Sequence, residues 1–238
     1  MHVLRSLLFY MVFYTGSVFH VLAAVAAIGV APRWVQPICN AWSGWHHVCV
    51  ENILGIRIEI TGTRPDYPAL YAVKHESLFE AIEIPFLFKR LSGFAKKELF
   101  DIPGWGRAAK AYGLVAVARD QGATALRTML REVRPYIAEG RPIFIFPEGT
   151  RVERGHQPQL QAGFAALYKL LGLPVVPVAV DSRPLYERRW KRRGTIRIHF
   201  GEPIPTGLPR EEIEALVHRE INLLSGPADP AVSQAPAA

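Results

Sequence analysis

The first long pattern in the chain is an absence of charge. Leu7 through Ala31 contains no Asp, Glu, Lys or Arg over 25 residues, with Arg5 before it and Arg33 after it. That exceeds the roughly 20 apolar residues needed to cross a hydrocarbon core. The small residues Ala23 to Ala27 would suit a signal-peptidase site, but the run is longer than the apolar core of about 7–15 residues in a cleaved signal, so it is read as a retained anchor. Trp34 to Leu54 is less uniformly apolar and places Trp34, Trp42, Trp45, His46 and His47 among aliphatics. Such a mixture suits a helix at a membrane interface or one returning partway through it. With one arginine on each side of the first segment, a spanning helix and a helical hairpin both remain open.

After Gly55 the periodicity becomes that of an α/β domain. Arg57–Ile60 and Ala69–Val73 read as short strands separated by a Gly/Pro-rich turn. Glu80–Lys89 reads as a helix that Pro85 should distort or bend. Gly93–Lys96 and Leu114–Ala118 read as strands, and Thr124–Ala138 as a helix with Leu126, Met129, Leu130 and Val133 on one face. A strand at Pro142–Phe146, a helix at Gly163–Leu171, strands at Val175–Val180 and Thr195–Phe200, and a helix at Arg210–Leu224 follow. Alternation of this kind predicts an α/β fold with a central mixed sheet covered by helices. The expected organisation is a membrane-anchoring helical region over 1–54, the α/β domain over 55–225, and a disordered Ala/Pro-rich tail over 226–238.

Composition narrows the partners. Half of the 238 residues are hydrophobic and the formal charge is +7, with a pI near 9.6. A basic chain favours nucleic acid, an acidic lipid surface or phosphorylated substrates, and charge alone does not choose among them. The two cysteines, Cys39 and Cys49, lie ten residues apart in one predicted helix. A rise of about 15 Å is far beyond a disulfide, so nothing suggests a disulfide-stapled secreted domain.

Three stretches carry candidate chemistry. His75 follows directly on an apolar strand, where open α/β sheets commonly place ligand crevices. Ser77 and Glu80 form an S-x-x-E capping box, which is the structural reading of Glu80. The same geometry points a carboxylate back toward His75, and the two readings can coexist because a carboxylate has several acceptor sites. A neutral His75 could accept a proton from a hydroxyl while Glu80 holds its tautomer. Phe146-Pro147-Glu148-Gly149-Thr150-Arg151 follows another apolar strand; Gly149 lets backbone approach a ligand and Arg151 offers a planar fork to phosphate. An ordinary turn closed by a Glu148–Arg151 ion pair accounts for it equally well. Lys96, Lys97 and Arg119 are cations beside strand ends that could converge on an anion. Arg183 to Arg193 holds six basic residues with Tyr186 and Trp190 among them, which fits anionic headgroups or nucleic acid, and the membrane segment favours lipid.

Taken in order, these blocks resemble the glycerolipid acyltransferase family, which includes 1-acylglycerol-3-phosphate acyltransferases. The resemblance covers roughly Leu70 to Asp181 together with the N-terminal region. The family's His-x4-Asp motif is matched by His75 through Glu80, with Glu in place of Asp. Its second block is matched by Lys97, Pro103, Gly106, Gly113 and Arg119, and its Phe-Pro-Glu-Gly-Thr-Arg block at every position from Phe146 to Arg151. Val175-Val176-Pro177-Val178-Ala179 resembles its fourth. The resemblance implies that His75, paired with Glu80, deprotonates the free hydroxyl of a lysophospholipid, which then attacks an acyl thioester to give phosphatidic acid. It also implies that Lys97, Arg119, Glu148, Gly149, Thr150 and Arg151 hold the acceptor phosphate. Acyl-CoA or acyl carrier protein would be the donor, with no other cofactor, no metal, no acyl-enzyme and no nucleic-acid partner. The domain is expected on the cytoplasmic side of the cell membrane. A lyso-ornithine lipid or glycerol 3-phosphate is the alternative acceptor, and a membrane-tethered anion-binding protein is the alternative of a different class. No G-x-S-x-G elbow is present to support a serine hydrolase.

Overall fold

Strand β2 (Leu70–Val73) is apolar at all four positions and buried at all four, the signature of a strand covered on both faces. In the computed structural model, which describes residues 1–118 and 122–226, it is the central strand of the sheet. Among the described residues seven strands pair in the order β1-β7-β6-β2-β5-β3-β4. These are β1 (Ile56–Thr61), β3 (Ser92–Lys96), β4 (Leu114–Val117), β5 (Ile143–Ile145), β6 (Val175–Val180) and β7 (Gly194–Phe200) with β2. Every pairing is parallel except β6 with β7, so the sheet is mixed as expected. The Gly/Pro-rich turn after β1 does not make β1 and β2 neighbours, because β7 and β6 intervene.

Side chains alternate across β2. Tyr71 and Val73 join a core with Phe79, Phe144 and Val178, whereas Leu70 and Ala72 join a second core with Phe164, Leu167 and Ile213. The second core is closed by α5 (Gly122–Ala138), α6 (Gly163–Leu171) and α8 (Arg210–Ile221). The first is closed by α1 (His2–Val30), α2 (Val35–Cys49) and α3 (Leu78–Leu87). Two short helices, α4 (Trp105–Tyr112) and α7 (Arg183–Tyr186), were not apparent in the periodicity. Helix α3 stops at Leu87, short of Lys89, with Pro85 inside its last turn.

The α1–α2 hairpin is part of the packed structure rather than a loose leader. The Gly16 position lies so close to the Trp45 indole that a Cβ there would fall 2.2 Å from its nitrogen. The Trp42 indole N–H donates to Ser17 Oγ at 2.9 Å. The polar residues of the second segment have an internal explanation. His46 is fully buried, with Nδ1 donating to Glu83 Oε2 at 2.9 Å and Nε2 accepting from the Tyr186 hydroxyl at 2.8 Å. His47 Nδ1 lies 2.5 Å from the other Glu83 oxygen, and Ser43 donates to the Ile82 carbonyl at 2.5 Å. Beyond Cys49 the same helical rod continues through a wider turn at Val50–Leu54.

Helix α1 is fastened near both ends. Tyr10 donates to the Arg189 carbonyl at 2.7 Å, and Ser6 Oγ accepts from the Lys191 amide at 2.8 Å. Farther along, Val21 and Val25 abut Gly104. Its other face shows Leu4, Leu7, Met11, Val18, Phe19 and Leu22 to solvent. By length and apolar composition α1 could cross a membrane.

Replacing Glu83 by Ala would leave two histidines without their shared acceptor in a dry interface. Removing one partner of a buried pair costs about 3–5 kcal/mol, so thermal unfolding of the detergent-solubilised protein should occur roughly 10 °C lower. An unchanged melting temperature would show that the hairpin docks by apolar contact alone.

Candidate active site

The parallel strands β2, β3, β5 and β6 all end at one edge of the sheet, and the loops leaving those ends carry the chemistry. Beyond β2 come Lys74 and His75. Ser77 then caps α3, its Oγ accepting from the Phe79 amide while the Glu80 carboxylate accepts from the Ser77 amide at 2.8 Å. The same Glu80 oxygen accepts from His75 Nδ1 at 3.2 Å. Both readings of Glu80 therefore hold at once: it caps the helix and it faces the histidine. Its second oxygen accepts from the Ser182 hydroxyl and, at 3.4 Å, from that of Ser77.

His75 is clamped on three sides. Its amide donates to Glu148 Oε2 at 3.2 Å, and its carbonyl accepts from the Val152 amide at 2.7 Å. Its ring stacks on Phe146, with centroids 3.9 Å apart and planes 16° from parallel. With Nδ1–H donated to Glu80, Nε2 is left as the acceptor, and it has no protein partner among the described residues. The His75 side chain is 15% exposed, against 1% for Glu80. An imidazole so placed can take a proton from a hydroxyl reaching it from solvent.

The turn after β5 is not closed by a Glu148–Arg151 ion pair. Glu148 points inward, and its Oε1 lies 2.5 Å from Lys74 Nζ with both side chains fully buried. Lys74 also donates to Asn222 Oδ1 at 2.8 Å, beyond the end of α8. Arg151 turns outward and pairs with Glu187, whose other oxygen accepts from the Leu78 amide at 3.2 Å. Gly149 adopts φ +74°, and a Cβ there would meet the Gln161 side chain at 2.7 Å. A glycine is required on both counts. Thr150 and Arg151 are exposed, as are Lys96 at the end of β3 and Lys97 just after it. Arg119 lies outside the described residues. Thus the structure brings His75, Glu80 and Glu148 into one bonded group and leaves Arg151 and Lys97 at the surface of the same edge.

Lys74 and Ser182 belong to this group although neither was singled out from the sequence. A signal existed for Lys74, a lone cation ending a four-residue buried strand, which must find an anion. None existed for Ser182. Phe146 also forms one wall of a cleft of about 480 Å³ lined by Phe94, Leu126, Met129 and Phe164, with Lys96 and Gly149 beside it. The ring that stacks on His75 therefore separates it from an apolar space.

Comparison with known proteins agrees with this geometry. Residues 56–181 match the acyltransferase family. The chain is 28% identical over 207 residues to a 1-acyl-sn-glycerol-3-phosphate acyltransferase from Pseudomonas aeruginosa, covering 83% of this chain and 79% of that protein. It is 26% identical over 220 residues to the human 1-acyl-sn-glycerol-3-phosphate acyltransferase alpha, covering 89% and 77%. Its fold is that of the crystal structure of the 1-acyl-sn-glycerophosphate acyltransferase PlsC from Thermotoga maritima, with a TM-score of 0.68 and 22% identity over 96% of this chain and all of that one.

One further carboxylate lies in the loop between β2 and α3. Glu76 is fully buried, with Oε2 accepting from the Arg183 amide at 3.2 Å and Oε1 without a hydrogen-bond partner. Burial, first among the causes, pushes its pKa from 4.5 up to about 7. Between those two values the unfolded chain has released the proton and the folded chain still holds it, so stability falls as pH rises and the loss is complete above pH 7. Glu76→Gln removes the penalty. The variant should melt higher than the parent at pH 8 and close to it near pH 4.5; an equal difference at both would rule out this titration.

Proposed function

The chain belongs to the acyltransferase family, and from that premise we propose that it moves a fatty acyl group from a thioester to the free hydroxyl of 1-acylglycerol 3-phosphate, with His75 as general base. The observation that carries the proposal is the His75–Glu80 pair, which leaves Nε2 without a partner among the described residues, at a sheet edge beside an apolar cleft. His75 Nε2 takes the hydroxyl proton as the oxygen attacks the thioester carbonyl. The tetrahedral intermediate then expels the thiolate, which recovers that proton from the imidazolium. Glu80 stabilises the imidazolium while it exists, and no acyl-enzyme is formed.

Arg151, with Lys97, Gly149, Thr150 and Arg119, would meet the acceptor phosphate. Glu148 acts from behind, because a carboxylate bonded to Lys74 and to the His75 amide holds the base in place. A carboxylate turned outward would repel a phosphate. The apolar cleft suits a fatty chain, and acyl-CoA or acyl carrier protein is the donor. A second reading keeps the chemistry and changes the acceptor to a lyso-ornithine lipid or glycerol 3-phosphate. The Arg151–Glu187 pair favours the lyso-ornithine lipid, which carries no phosphate, since a guanidinium already paired offers less to a phosphate.

The membrane arrangement follows from α1. The domain touches it at Ser6 and Tyr10 and again at Val21 and Val25, and from Ser6 to Val25 the helix spans about 28 Å at 1.5 Å per residue. A helix flanked by domain at both ends cannot cross a hydrocarbon core of roughly 30 Å without carrying polar protein into it. We place α1 along one leaflet, its apolar stripe in lipid and the basic segment Arg188–Arg193 at the headgroups. Thioester donors are cytosolic, which puts the domain on the cytoplasmic side of the cell membrane.

The test is an assay in vesicles with each acceptor and each donor type. Phosphatidic acid should form from 1-acylglycerol 3-phosphate, and His75→Ala should lower kcat at least ~100-fold. A folded His75→Ala variant with full activity would remove the base assignment, and acylation of no acceptor by either donor would remove the activity. Glu187→Gln should lower KM for the phosphate-bearing acceptor several-fold by releasing Arg151. An unchanged KM would show that Arg151 does not bind the phosphate.

A further inference from the structure

Ser182 lies one residue beyond the segment that matches the family and 102 residues from Glu80 in sequence, yet it is fully buried against that carboxylate. Its hydroxyl donates to Glu80 Oε1, and its Oγ is 2.7 Å from that of Ser77. Its backbone has little freedom. Asp181 before it is bonded to Arg197 of β7 through its side chain, at 2.6 and 2.8 Å, and through its backbone amide. The Ser182 carbonyl accepts from the Leu185 and Tyr186 amides. Glu80 thus has one oxygen on His75 Nδ1 and the Ser77 amide, and the other on two hydroxyls.

We infer that Ser182 is a positioning residue for the His75–Glu80 pair: by holding Glu80 Oε1 it turns Oε2 onto His75 Nδ1, and it does so because the side chain at position 80 is Glu. This rests on the proposed role of His75. A carboxylate bonded through one oxygen can rotate about its last torsion, which is broad for Glu. Fixing the second oxygen removes that rotation, and with it the misalignment of Nε2 toward the attacking hydroxyl. A shorter Asp at position 80 carries its oxygens one methylene nearer the helix and cannot keep His75 and Ser182 together. The sheet register holds Ser182 still, so the clasp is matched to the length of Glu80.

Kinetics of Ser182→Ala, Glu80→Asp and the double variant, with the acceptor that the parent enzyme turns over, test this. Ser182→Ala should fold with a melting temperature near the parent's, lose about tenfold in kcat, and keep KM within twofold. The misalignment touches proton transfer and not acceptor binding, so the loss should appear in kcat and not in KM. Glu80→Asp should lose at least as much as Ser182→Ala, and adding Ser182→Ala to it should cost no more. Parental kcat in Ser182→Ala, or multiplicative losses in the double variant, would overturn the inference. Should Ser182→Ala behave as the parent while His75→Ala is inactive, only the inference fails; should His75→Ala remain active, the proposed base fails first.

Discussion

At the carboxyl end of the central strand two opposite charges meet out of reach of water. Lys74 Nζ and Glu148 Oε1 are 2.5 Å apart and both side chains are fully buried. Neither could stay there alone, since an unpaired buried ion costs several kcal/mol. The pair therefore obliges the loop after β5 to fold back over the end of β2. Asn222 extends the constraint to the end of α8 by accepting from the same ammonium. His75 inherits its position from this arrangement: its amide is the remaining donor to Glu148, and its carbonyl takes the Val152 amide from the far side of the turn. Phe146, which begins that turn, then lies flat against the imidazole. The proposed base is thereby oriented before any substrate arrives, which is where much of the advantage of positioned catalysis lies.

Helix α3 joins this site to the α1–α2 hairpin. Glu80 and Glu83 are three residues apart, Glu80 turned to His75 and Glu83 to His46 and His47 of α2. Tyr186 completes the second cluster from α7, only four residues after Ser182 serves the first. Two short segments thus each touch both the His75–Glu80 pair and the hairpin. A displacement of α1–α2 relative to the sheet would strain the same helix whose first turn holds His75.

Legibility in the sequence divides along physical lines. Strands buried on both faces read as unbroken apolar runs, and β6 and α6 have the bounds that the pattern predicts. The S-x-x-E box marked the start of α3, because capping is a local interaction between residues three apart. The sheet order was hidden, since parallel pairing joins segments distant in sequence; the turn between β1 and β2 has the composition of a hairpin but joins strands separated by two others. The same holds within the site. His75 and Glu80 are near neighbours and could be paired from spacing alone. Glu148 pairs with Lys74 across 74 residues and Ser182 reaches Glu80 across 102, distances over which spacing carries no information. The Glu148–Arg151 alternative failed for that reason: each residue found a better partner elsewhere in the chain.

The hairpin shows how composition alone can mislead about environment. His46, His47 and Trp45 among aliphatics look interfacial, yet the histidines are spent on Glu83 inside the protein and Trp45 lies against Gly16. On the proposed membrane arrangement, the outer stripe of α1 from Leu4 to Leu22 faces the bilayer. That stripe lies parallel to the line joining the basic segment at Arg189 and Lys191 to Gly104 at the start of α4. A helix held along the protein surface fixes the depth to which the domain sinks. The acceptor's depth is fixed independently by its own acyl chain. A lysolipid with its chain among the tails has its hydroxyl at headgroup level, and the proposed in-plane α1 would let the sheet edge bearing His75 meet it there without withdrawing the lipid from the membrane.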